Sequence, residues 1–138
     1  MASDYDIGVT DYTLQQNQLE KIEQILKDGL VGINLNNAML IDMAGNIIAK
    51  CDNGKCEHDI YSLAALASAN FAAVDTMAKI IGEEEFSLLF HKGEHESIHF
   101  SRVADDFLLI TLFGKEVSLG LLRLKIAETI EKIKSVWH

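Results

Sequence analysis

The sequence predicts an α+β domain with the element order α-β-β-α-β-β-β-α. Three observations carry this. Apolar stripes at helical spacing recur at three separated places in the chain. Between them lie five short strand-like runs joined by turns, which implies antiparallel neighbours. Proline is absent and no low-complexity run divides the 138 residues, so the chain fits one domain, which buries roughly two thirds of its unfolded surface at this size.

Residues 1–12 read as a flexible N-terminal segment and 13–138 as the domain. Thr13 and Gln16 fit a capping box that opens the first helix, with Leu19, Ile22, Ile25 and Leu26 as its apolar stripe. Gly29 and Gly32 are natural stops. Ala38–Asp42 and Asn46–Lys50 follow as two strands joined by Met43-Ala44-Gly45, a hairpin turn in which Gly45 takes positive φ. Asp42 bonds the turn's backbone amides in this reading. A catalytic or metal carboxylate is the alternative for Asp42, and it lacks a second carboxylate close by in sequence.

The stretch from Asp59 to Gly82 organises the rest. Asp59 is its N-cap, and between Asp59 and Lys79 the only charge is Asp75. Leu63, Leu66, Asn70, Val74, Met77 and Ile81 form one stripe; Tyr61, Ala65, Ser68, Ala72 and Thr76 form a second of small or weakly polar groups. A helix with neither side charged is covered on both. One side rests on the protein's own sheet, and few elements remain to cover the other, which favours a partner helix. A membrane span is disfavoured, because Ser62, Ser68, Asn70, Asp75 and Thr76 interrupt the run.

After Glu83-Glu84-Glu85 come three strands, Phe86–His91, Ser97–Val103 and Phe107–Phe113. The last is apolar on both parities and is therefore expected at the centre, covered on both faces. Ser118 caps the closing helix, with Leu119, Leu122, Ile126, Ile130, Ile133 and Trp137 as its stripe. Gly120 is expected to let its first turn approach the sheet.

A formal charge of −9 and a pI of about 4.9 argue against nucleic acid and against anionic membrane surfaces. The polar, acidic opening MASDYDIGVTDYT has no export pattern, so a cytoplasmic location is expected. Cys51, Cys56 and His58 spell C-x4-C-x-H without a fourth ligand at zinc spacing, and read as two reduced thiols. His91, His95 and His99 stand at four-residue steps, but Gly93 places a hairpin between them, so they read as surface histidines. Gly54-Lys55 and Gly114-Lys115 lack the earlier glycine and the following Ser or Thr of a phosphate loop. The acidic runs at Glu83–Glu85 and Asp105-Asp106 read as solvated turns that could steer a basic partner. No cofactor and no metal are expected, and the chain is not expected to be an enzyme.

Taken in order, the first hairpin AMLIDMAGNIIAKC, the Ala-rich helix, DDFLLITLFG and the closing SLGLLRLKIAETI resemble the roadblock family of dynein-light-chain-like proteins from about Thr13 onward. The ending resembles the bacterial branch that includes a GTPase-activating protein. The resemblance implies a roadblock, or profilin-like, fold: an α/β sandwich of two to three layers with a five-stranded antiparallel sheet of strand order 2-1-5-4-3, the middle helix on one face and the terminal helices on the other. It implies dimers that pair third strands into one sheet while middle helices from Leu63 to Met77 pack together. On this sequence the implied interface comprises Tyr61, Ala65, Ser68, Ala72 and Thr76 of the helix and Phe86, Leu88 and Phe90 of the strand. Asp42 and Gly45 are structural turn residues.

The implied function is a homodimeric regulator or scaffold that binds a Ras-like small GTPase and modulates its nucleotide cycle. Arg102 and Arg123, the only arginines, lie in regular elements, so neither is named as a catalytic finger. The alternative is a small-molecule sensor with a PAS-like or profilin-like sheet, expected to show a cavity under the sheet. A metalloenzyme using Cys51, Cys56, His58 and the later histidines is the third reading.

Overall fold

The computed structural model describes residues 15–33, 35–86 and 89–136. Helix α1 (Gln16–Leu30) leads through one 3-10 turn (Val31–Ile33) to strands β1 (Asn37–Asp42) and β2 (Ile47–Asp52). Helix α2 (Ile60–Ile80) follows, then β3 (Leu89–Lys92), β4 (Glu96–Val103), β5 (Phe107–Gly114) and helix α3 (Leu119–Val136). All five strands form one antiparallel sheet in the order β2-β1-β5-β4-β3.

Strand alternation divides the core into two layers. On one side Ala38, Leu40, Leu109 and Phe113 pack with Ile22 and Leu26 of α1 and Leu122, Ile126 and Ile133 of α3. On the other side Met39, Ile41, Leu108 and Ile110 pack with Ile60, Ala64, Ala67 and Phe71 of α2. β5 is buried from Phe107 to Phe113, as its double-parity apolar sequence requires of a central strand.

Several local expectations shift. Thr13 lies outside the described residues, and the side chain that returns to the start of α1 is Gln18, whose Oε1 accepts from Gln15 N at 2.9 Å. Gly29 is no stop: it lies inside α1, where a Cβ would stand 2.5 Å from Thr129 Oγ1. Its missing side chain lets α1 approach α3. Gly120 is exposed, and a Cβ there would meet only Ser118 Oγ at 3.8 Å, so it mediates no close packing on the sheet. Among the described residues the third strand covers Leu89–Lys92, paired with Ser97–Phe100, and Phe86 stands outside it. Trp137 lies outside the described residues.

Candidate protein-binding surface

Helix α2 begins where Asp59 accepts from Ser62 N at 3.1 Å and from the Ser62 hydroxyl at 2.7 Å. Those Ser62 bonds hold the Asp59 carboxyl below its usual range. The helix ends at Gly82, φ +88°, where Glu83 N donates to Ala78 O at 2.9 Å. Between these caps the face on the sheet is mostly small: Ala64, Ala67, Ser68 and Ala78, with Ile60 and Phe71 as its large members. Small residues let the helix axis approach the flat surface of Met39, Ile41, Leu108 and Ile110.

Several of the other large side chains point outward. Tyr61 is 67% exposed, Leu66 68%, Met77 53% and Ile80 77%. Ala65, Ala69, Ala72, Ala73 and Thr76 fill the spaces between them, giving an unbroken weakly polar to apolar band along the helix. A contiguous exposed band of this kind makes α2 the candidate surface, whereas scattered surface leucines would not. The two stripes are thus distributed differently from expectation, since Leu66 and Met77 of the large-residue stripe face away from the sheet.

Of the residues assigned to an interface, Tyr61, Ala65, Ala72 and Thr76 lie on the exposed band. Ser68 does not. It is 7% exposed because it stands four residues from Ala64 in the sheet-facing seam, and its hydroxyl is satisfied by donating to Ala65 O at 2.9 Å. Phe86 lies before β3, at the rim of a cleft, and Leu88 lies outside the described residues. Phe90 is on β3 but stacks on Phe113 at 5.8 Å on the α3 side of the sheet, away from α2. β3 is an end strand, so its outer edge is unpaired by any other strand of this sheet.

The first hairpin tip supports α2. Asp42, 1% exposed, accepts from Ala44 N at 3.0 Å and Asn46 N at 2.9 Å, and Gly45 has φ +90°. A Cβ on Gly45 would stand 3.0 Å from Ser68 Oγ. At the far end of α2, Asp75 binds Lys79 at 2.8 Å and Arg102 at 3.5 Å, and these cations, Lys79 foremost, hold its carboxyl low. Arg102 also lies over the Phe71 ring at 5.0 Å, tying β4 to the helix.

The candidate chemical residues are dispersed. Cys51 packs with the α1 layer and Cys56 with the α2 layer, on opposite sides of the sheet, so they form no pair. Burial pushes the Cys51 thiol up. His58 instead meets Glu96 at 2.6 Å, and this contact lowers the Glu96 carboxyl. His91 and His95 are exposed, but His99 is buried at 5% exposure, because its place in β4 turns it toward α3. Burial, with Arg123 nearby, lowers its pKa to about 4. Among the described residues no three His, Cys, Asp or Glu groups converge as a metal site, and no helix is long and apolar enough to cross a membrane. What the sequence could not reveal is a cleft of about 270 Å³ at the side of β4, built by α2, β4 and α3 together.

The chain is similar in structure to Myxococcus xanthus MglB, with 29% identity over 91% of this chain and 93% of that one and a TM-score of 0.81. The gliding protein MglB of Thermus thermophilus matches at 25% identity over 90% of this chain and 93% of its own, also at 0.81. An uncharacterised protein of Aquifex aeolicus is 24% identical over 134 residues, 95% of this chain and 82% of that protein. The Roadblock/LC7 domain matches residues 33–113, from the end of the 3-10 turn through β5, and the chain belongs to that family.

Proposed function

We propose that the protein is a homodimeric regulator or scaffold that binds a Ras-like small GTPase and modulates its nucleotide cycle, as a GTPase-activating type. The observation that carries the reading is the outward band of α2, where Leu66, Met77 and Ile80 are each more than half exposed. A second copy would cover that band, and pairing of β3 edges would close the sheet end. The likeness to MglB supports the class of partner.

In this account the dimer acts by shape. It favours one conformation of the GTPase switch segments through differential contact, which requires no reacting group from this chain. The protein is cytoplasmic in the same reading and uses no cofactor. The test is a pull-down of a Ras-like GTPase loaded with GDP or with a non-hydrolysable GTP analogue. Retention dependent on the nucleotide supports the proposal; absence of retention in both states contradicts it.

A further inference from the structure

The cleft beside β4 carries a separate inference, which does not depend on dimerisation or on a GTPase. Both arginines of this acidic chain line it, Arg102 from β4 and Arg123 from α3. Its walls are mixed: Phe71 and Phe100 on the α2 side and Ile126 and Ile130 on the α3 side are apolar, and Ser101 adds a hydroxyl among the charged groups. We propose that it binds a small, singly charged carboxylate with an apolar body.

Arg102 supplies the first reason. Its Nε is buried without a hydrogen-bond partner. Its carboxylate neighbours are too far for good bonds, Glu85 at 3.7 Å from Nε and Asp75 at 3.5 Å from Nη2, against about 2.7–2.9 Å for a charge-assisted pair. A guanidinium donor held out of water this way calls for an acceptor. Among the described residues Arg123 has no ion pair, and it faces the same space.

Charge and size set the ligand class. In the lining Arg102 and Arg123 stand with Asp75 and Glu85, and buried His99 is neutral near pH 7, so the charges balance two against two. Both carboxylates are engaged by Lys79 or Arg102, which leaves Arg123 to meet a monoanion, whereas a phosphate dianion would be repelled by the two carboxylates at the rim. At about 270 Å³ the cleft falls just below the roughly 300–1,000 Å³ of drug-sized sites, which suits a small acid.

The probe is 3-phenylpropanoate, titrated into the full ¹⁵N-labelled chain. We expect saturable shifts confined to amides around Ser101, Arg102 and Ile126. Arg123→Ala, at an exposed position that the core does not need, should weaken binding about tenfold or more, since one charge-assisted contact is lost. Arg102→Met should do the same, and if it misfolds Arg123→Ala alone decides. The neutral 3-phenylpropan-1-ol and inorganic phosphate should each bind at least about tenfold more weakly. No saturable shift up to about 10 mM overturns the proposal. Shifts centred elsewhere, equal affinity for the alcohol or phosphate, or undiminished affinity in Arg123→Ala overturn it too.

Discussion

Gly45 at the tip of the first hairpin and Ala65 in the middle helix meet so closely that a Cβ on the glycine would lie 2.9 Å from the alanine Cα. The contact joins a turn set by Asp42 to the helix whose outer band defines the proposed interface. Gly45 is constrained twice over, by this approach and by φ +90°. Gly45→Ala should therefore destabilise the fold by at least about 1–3 kcal/mol from backbone strain alone. Urea unfolding measures it, and a change below about 0.5 kcal/mol would mean that α2 moves away freely.

The α1–α3 crossing predicts a coupled pair. Gly29→Ala should gain up to about 1 kcal/mol of helix propensity but meet Thr129 Oγ1 at 2.5 Å. Thr129 is β-branched and bonded to Lys125 O at 2.7 Å, so its hydroxyl does not move aside cheaply. Gly29→Ala should destabilise the native chain and be neutral or stabilising when Thr129→Ala is also present. A double-mutant cycle checks this, and additive effects would contradict the contact.

His99 predicts a pH dependence. Its pKa falls from an ordinary 6.5 to about 4 on folding, chiefly through burial. The unfolded chain therefore binds the proton more readily between those values. The stability contributed by the neutral ring is full above about pH 6.5 and is lost as pH falls toward 4, by up to about 3 kcal/mol. Lowered carboxyls at Asp59, Asp75 and Glu96 add losses at the acid end, so the comparison is best made between pH 7 and 5. His99→Gln should flatten urea-derived stability across that window. An identical slope in native and variant chains would contradict it.

Much of the fold was legible because three features have clear periods. The hairpin around Gly45, the uncharged helix from Ile60 to Ile80 and the double-parity strand from Phe107 each announce themselves by spacing. Periodicity shows that α2 has two sides without saying which one the sheet takes. The sheet took Ala64, Ala67 and Ala78, because close approach favours small groups, and so Ser68 turned inward with them while Leu66 and Met77 turned out. His99 was likewise hidden: its strand alternates, but only the placement of α3 over that face makes the position buried. Gly29 looked like a helix stop since its partner, Thr129, lies a hundred residues away. The arginine cleft had no signal at all, being assembled from three elements distant in sequence.

The most direct test is the mass in solution by light scattering, for the native chain and for Leu66→Glu and Ala72→Glu. Both changes set a charge on the outward band of α2, where a buried, unpaired charge would cost roughly 3–5 kcal/mol. The account predicts twice 15.3 kDa for the native chain and 15.3 kDa for either folded variant. A native chain that stays folded at 15.3 kDa at high concentration, or variants that keep the doubled mass, would contradict it.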